Sequence, residues 1–141
     1  MANFTSTGSD TFPAGMVVKT TYALCDSSPQ VSSSTYTDVS GCSISHTMED
    51  SGNTLIVLGL GSCDRGSADG SSGVRITQSG SSIVQAENRD HNDNDGFAIP
   101  SIKVAGYSGA NTFNMQVRSI SSSNKVSIGV GKGYALIEVS A

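Results

Sequence analysis

The feature that most constrains the fold of this chain is an alternation of apolar and polar side chains. Phe113, Met115 and Val117 are separated by polar residues, as expected for an antiparallel strand that buries one face. The same period recurs at Val126, Ile128 and Val130 and at Ala135, Ile137 and Val139. No segment sustains a helical period, and the chain is rich in Ser, Thr, Gly and Asn, which disfavour helices. The chain is therefore predicted to be all-β.

Alternating runs, with turn residues between them, predict about ten short strands. They cover Met16–Cys25, Tyr36–Val39, Cys42–Met48, Thr54–Ser62, Val74–Gln78, Ile83–Ala86, Phe97–Ala105, Thr112–Ile120, Lys125–Val130 and Tyr134–Val139. Polar clusters such as Ser79-Gly80 are typical of hairpin connections. Short strands at this spacing predict an antiparallel β-sandwich or jelly roll of roughly eight to ten strands. We expect this domain to span residues 14–141, preceded by an extended arm, residues 1–13.

Charge and hydropathy exclude two classes of partner. The formal net charge is −4, and the eight Lys and Arg residues are scattered singly, so no basic patch for nucleic acid is expected. The longest apolar run, Leu55–Leu58, is far shorter than the roughly 20 residues of a membrane span. The start Met1–Thr5 has neither the basic nor the apolar part of a secretory signal. We expect a protein that starts near Met1 and is made in a cytoplasm.

The three cysteines are Cys25, Cys42 and Cys63. Their spacings match neither a paired-cysteine zinc site nor a Cys-x-x-Cys redox motif, and an odd count leaves one unpaired. We expect a disulfide-free protein with small, buried, reduced cysteines. A reactive thiol is the alternative.

Two glycine-rich segments resemble nucleotide-binding loops only in part. In Gly59–Asp64, the acidic Asp64 stands where a dinucleotide fingerprint needs a third glycine. In Gly129–Gly133, Lys132 is followed by glycine instead of Ser or Thr, and no helical pattern follows. Both segments are predicted to be turns, and no cofactor is predicted.

Serine hydrolysis is not supported either, because no Gly-x-Ser-x-Gly motif is present and only His46 and His91 could act as a base. His46 is expected at the surface, on the polar face of its strand. The chain is therefore predicted not to be an enzyme.

The most acidic segment, residues 87–96, contains oxygen ligands of the kind that calcium prefers. Counted from Asp90, however, Asp95 occupies the place of the glycine at position six, and Ser101 that of the glutamate at position twelve. A solvated strand connection is predicted, with a cation site as the alternative, and no metal ligand is assigned.

One strand pattern is apolar on both faces. Leu55 and Val57 point to one side, and Ile56, Leu58 and Leu60 point to the other. A two-layer sandwich buries only one face of each sheet, so the second face is predicted to meet another subunit. The alternative is a cover formed by loops of the same chain.

Four segments together resemble a layout found in small virion proteins and fibre-tip domains of tailed phages. They are Phe12–Val18 with its Pro-Ala-Gly entry, Ser34–Val39 with Ser-x-Tyr-Thr-Asp, Gly73–Ile76, and Ala135–Val139 with Ile-Glu. Thr54–Val57 stands where that layout has Lys-Ile-Leu-Val. The resemblance covers nearly the whole chain and implies a trimeric jelly roll of the tumour necrosis factor type.

This resemblance implies a virion protein made in the cytoplasm of a host bacterium. We expect a homotrimeric decoration protein that stabilises a capsid or tail surface and binds the major capsid or tail protein of the same particle. Ile56, Leu58 and Leu60 are the predicted subunit interface, and Phe4 and Phe12 the predicted anchor to the particle. The alternative is a fibre-tip adhesin that binds a host glycan or protein, which an exposed aromatic platform would favour.

Overall fold

The computed structural model describes residues 13–24, 30–60, 62–65, 72–88, 97–98, 101–119, 126–128 and 132–141. These residues form twelve β-strands and no helix, which confirms the all-β prediction. The strands are β1 (Val17–Leu24), β2 (Gln30–Val31), β3 (Thr37–Thr47), β4 (Thr54–Leu60), β5 (Ser62–Arg65), β6 (Ser72–Gln78), β7 (Ser81–Asn88), β8 (Phe97–Ala98), β9 (Ile102–Val104), β10 (Ala110–Ser119), β11 (Val126–Ile128) and β12 (Gly133–Val139). The described segments include no helix that could cross a membrane.

The strands pair in order from the two ends of the chain, the first with the last, the second with the last but one, and so on. The antiparallel pairs are β1 with β12, β2 with β11, β3 with β10, β4 with β9, β5 with β8, and β6 with β7. The chain is thus one long hairpin, and its tip is the predicted turn Ser79-Gly80. Both residues there have positive φ, 48° and 86°, which suits a two-residue hairpin turn.

Winding this hairpin on itself produces a jelly roll. Sheet 1 has the order β1-β12-β4-β9, and sheet 2 has the order β3-β10-β6-β7. The two sheets pack face to face, which confirms the predicted β-sandwich. Four short strands form a third sheet in the order β2-β11-β5-β8.

The core lies between sheets 1 and 2. Its completely buried apolar side chains are Leu55, Val57 and Leu136 from sheet 1 and Val74, Ile76, Phe113, Met115 and Val117 from sheet 2. Removing such a side chain from water stabilises the fold by about 1.5 to 3 kcal/mol. The face predicted for β10 from its alternation is therefore the buried one.

Two local predictions are wrong. On β12 the inward residues are Tyr134, Leu136 and Glu138, not Ala135, Ile137 and Val139. Both faces of this central strand are largely apolar, so the period alone did not distinguish them. The break predicted between Val39 and Cys42 is a bulge inside β3, where Gly41 has φ 79° and the register with β10 shifts.

Candidate functional site

The outer face of sheet 1 is apolar, and we call it the apolar face. All the large hydrophobic side chains that are exposed in the described part of the chain belong to β1, to β4 or to the residue before β1. They are Met16, Val17, Tyr22, Leu24, Ile56 and Leu58. Monomeric proteins rarely expose contiguous apolar patches of this kind, so such a patch indicates a binding surface.

The predicted interface residues lie together on this face. Ile56 is paired with Ile137, and Leu58 with Ala135, on adjacent strands of sheet 1. Leu60 lies at the end of β4 and is half-buried. Leu55 and Val57, which alternate with them, are completely buried in the core.

β1 also contributes to this face, although it was not part of the predicted surface. Tyr22, the most exposed of the large apolar residues at 66%, is paired with Ala135, and Leu24 is paired with Gly133. These pairings extend the apolar face across three strands, from β4 through β12 to β1. The sequence already showed apolar side chains on both faces of this strand, because Tyr22 and Leu24 flank Ala23. Alternation alone could not show which of the two faces is exposed.

A groove of about 530 Å³ opens on sheet 1 beside the apolar face. Its walls are formed by Thr54, Ile56, Ser101, Ile102, Lys103, Val139 and Ser140. Lys103, on the edge strand β9, is paired with Ile56 and provides the charged side chain of this groove.

The outer face of sheet 2, in contrast to the apolar face, is polar, and its side chains form hydrogen bonds and ion pairs with one another. Arg75 donates to Gln116 at 2.6 Å, and Gln116 donates to Asp38 at 2.7 Å. Arg118 pairs with Glu87, and the Arg75 guanidinium carbon lies 4.2 Å from the centre of the Tyr36 ring. These contacts cross from β3 to β7 and stabilise sheet 2.

A polar cluster lies at the opposite side of sheet 1, inside the sandwich. Glu138 is completely buried, and its carboxylate accepts hydrogen bonds from the backbone N–H groups of Glu49 and Asp50, at 2.9 and 3.3 Å. The side-chain amide of Asn53 donates to it at 2.6 Å. The buried charge is thus satisfied by the turn between β3 and β4, so its role in the fold is to hold that turn against β12.

His46 belongs to this cluster, so its predicted surface position is wrong. It alternates in step with Ile44 and Met48, so it points to the same side as they do, and its side chain is buried. Nε2 lies 3.6 Å from the Glu138 carboxylate, and Nδ1 lies 3.3 Å from the Thr21 hydroxyl. Burial, followed by the nearby Lys19 charge, lowers the pKa of His46 below its usual 6.5, although Glu138 acts in the opposite direction.

Acid is therefore expected to destabilise the fold through His46. The unfolded chain takes up a proton on this residue near pH 6.5, whereas the folded chain does so only at lower pH, so stability falls as pH drops below 6.5. Urea unfolding between about pH 7.5 and 5, above the range in which ordinary carboxyl groups titrate, measures this loss. His46→Gln should flatten the slope of stability against pH over this range. Equal slopes in wild type and His46→Gln would contradict the assignment.

Tyr107 and Tyr134 do not form the exposed aromatic platform that would favour an adhesin. Tyr134 is completely buried, and its hydroxyl donates to the Phe113 carbonyl at 2.7 Å. Tyr107 is half-buried, with its ring centre 6.1 Å from that of Phe113. Burial, and to a smaller degree the Glu138 charge, raises the pKa of Tyr107 to about 12. Its hydroxyl therefore stays protonated and donates to the His46 carbonyl at 3.3 Å.

Cys42 is disulfide-bonded, so the prediction of a disulfide-free protein is wrong. Its side chain is buried on the inward face of β3. Spacing along the sequence could not reveal the bond, because it depends on which strands meet across the sandwich.

Several predicted features lie wholly or partly outside the described residues. These are the anchor residues Phe4 and Phe12, His91, the segment 89–96 of the acidic loop, and most of Gly129–Gly133. Gly59–Asp64, predicted to be a turn, instead contributes to two strands, the end of β4 and the start of β5. Among the residues that are described, no three His, Cys, Asp or Glu side chains are grouped as metal ligands.

No family model and no curated protein matches this chain. The apolar face and the buried polar cluster are therefore the observations from which a function can be inferred. The cluster has its hydrogen bonds directed at the chain's own backbone, whereas the apolar face is open to a partner.

Proposed function

We propose that this chain is a non-enzymatic structural protein of a phage particle, a homotrimeric decoration protein whose subunits meet through the apolar face. The observation that carries the proposal is the grouping of Tyr22, Leu24, Ile56 and Leu58 on one outer face. Each such side chain contributes about 1.5 to 3 kcal/mol when it is fully removed from water.

A second copy of the chain suits this face better than a charged partner. Its side chains along β1, β12 and β4 are Thr, Tyr and aliphatic residues, with Lys103 at its β9 edge as the described charge. An apolar surface without a pattern of charges can pack against an apolar part of a second copy, and around a threefold axis each subunit uses two different parts of its surface for its two neighbours. The outer face of sheet 2, with its bonded polar side chains, would then stay in contact with solvent.

The assignment to a phage particle rests on the resemblance of the sequence to small virion proteins. In this proposal the segment ahead of β1 provides the anchor, because Phe4 and Phe12 are large apolar residues in a nearly uncharged stretch. An extended segment can add to a neighbour's sheet edge, and pockets for two phenyl rings would make that contact specific.

Replacing Leu58 with aspartate should dissociate the oligomer and leave the subunit folded. Leu58 is 37% exposed in the single chain, so a carboxylate there stays hydrated in the monomer but would be buried at the interface. Sedimentation equilibrium at micromolar concentration should give three times the chain mass of 14.4 kDa for wild type and the single mass for Leu58→Asp.

Ser45→Asp is the control, since Ser45 is exposed on β3, two residues before its end, in the opposite sheet. This variant should keep the oligomeric mass. A wild-type chain that sediments as a monomer would contradict the proposal, and so would a Leu58→Asp variant that keeps the wild-type mass.

A further inference from the structure

The disulfide of Cys42 has two possible partners in the chain, Cys25 and Cys63. Neither side chain is among those that the structure describes. The way in which β1 lies against β3 distinguishes between them.

β1 and β3 are edge strands of different sheets and lie next to each other where the sheets meet. Lys19 donates to the Thr47 carbonyl at 2.8 Å, and the Thr21 hydroxyl lies 3.3 Å from Nδ1 of His46. Residue numbers thus rise along β1 while they fall along β3. Ala23, two residues further along β1, and Ile44, two residues back along β3, are both buried in the core between the sheets.

Cys25 follows Leu24, the last residue of β1, directly in the sequence, and Cys42 belongs to β3. Ala23 is buried, whereas Tyr22 and Leu24 on either side of it are exposed. Cys42 is itself inward, at 1% exposure. A disulfide requires Cα atoms roughly 4.4 to 6.8 Å apart, so the partner of Cys42 has to come from a segment next to β3, and β1 is such a neighbour.

Cys63 has a different position in the fold. It lies on β5 in the third sheet, where its ladder partners are Ile128 and Phe97. Neither β1 nor β3 belongs to that sheet.

We infer that Cys25 and Cys42 form a disulfide that joins the two sheets at the β1–β3 edge, and that Cys63 is the remaining thiol. The bond forms by exchange with a small-molecule disulfide such as oxidised glutathione. One cysteine thiolate attacks a sulfur of the oxidant and releases one reduced thiol. The second thiolate then displaces the other, so that the two cysteines are oxidised and two thiols of the reagent are formed.

A reducing cytoplasm keeps such cysteines as thiols. For a virion protein made in a bacterial host, the bond would therefore close once the particle leaves the cell. This timing rests on the proposed function, whereas the pairing of Cys25 with Cys42 rests on the position of β1 beside β3 and of Cys63 in another sheet.

Peptide mapping of the oxidised protein tests the pairing. Trypsin is unsuitable, because no Lys or Arg lies between Lys19 and Arg65 and all three cysteines stay on one fragment. A protease that cleaves after Asp and Glu separates them into residues 11–26, 39–49 and 51–64. After free thiols are alkylated in acid, mass spectrometry should find 11–26 linked to 39–49 and an alkylated Cys63. A link from 39–49 to 51–64, or an alkylated Cys42, would overturn the inference.

Thermal unfolding supplies a second readout that does not depend on oligomer mass. Closing a loop of this length should raise Tm by about 10 °C relative to the reduced protein. Cys63→Ser should keep this difference, and Cys25→Ser and Cys42→Ser should each abolish it. Loss of the difference in Cys63→Ser would overturn the pairing.

Discussion

Replacing Glu138 with alanine is expected to lower the free energy of unfolding by about 3 to 5 kcal/mol. The substitution removes a completely buried carboxylate and leaves the N–H groups of Glu49 and Asp50 and the amide of Asn53 without their acceptor. Each buried donor left unpaired costs about 1 to 3 kcal/mol. A domain of this size is typically stable by about 5 to 15 kcal/mol, so this loss is a large fraction of the total.

Urea unfolding at neutral pH measures this loss, and Glu49→Ala is the matched control. Glu49 pairs with Lys19 at 2.8 Å, but its side chain is half exposed, so removing that carboxylate should cost no more than about 1 kcal/mol. Glu138→Gln should fall between the two, since it keeps one acceptor oxygen but turns an amide group toward donors. Equal stability of Glu138→Ala and Glu49→Ala would show that the buried network does not hold the β3–β4 turn.

Replacing Gly133 with alanine is expected to destabilise the protein by about 3 kcal/mol by displacing β1 from β12. An added Cβ would overlap the Ala23 carbonyl oxygen and lie 2.9 Å from the carbonyl carbon and 3.1 Å from Cα of Leu24. These are backbone atoms of the paired strand, so they can yield only if β1 itself moves. Hydrogen exchange should therefore show faster exchange of the β1 amides along with the lower stability.

Gly52→Ala is the control for this substitution. Its added Cβ would meet the side-chain oxygen of Asp50 at 3.3 Å, in an exposed turn, so the change in stability should stay within about 0.5 kcal/mol. If Gly133→Ala were as stable as Gly52→Ala, with β1 amides still protected, close packing of β1 on β12 would not be needed for the fold.

Local pattern was sufficient to predict most of the strands and the class of fold, but not β2 or β5. Alternation along β10 identified Phe113, Met115 and Val117 as core residues, and they are completely buried. The turn at Ser79-Gly80 was predicted from residue types that are common in turns, and both residues have positive φ there. The two-sided pattern of β4 also placed Ile56, Leu58 and Leu60 on one face, because successive side chains of a strand point to opposite sides.

Only the tertiary structure decided which strands meet and which of two apolar faces is buried. β12 shows this most clearly, since Glu138 points into the sandwich while Ile137 points out. A buried carboxylate becomes stable only when donors from a distant turn reach it, and those donors lie 85 or more residues away in sequence. The burial of His46 and the disulfide of Cys42 depend in the same way on contacts across the sandwich. A period of two residues identifies the two faces of a strand, but only the packing of one sheet on the other determines which face is inside.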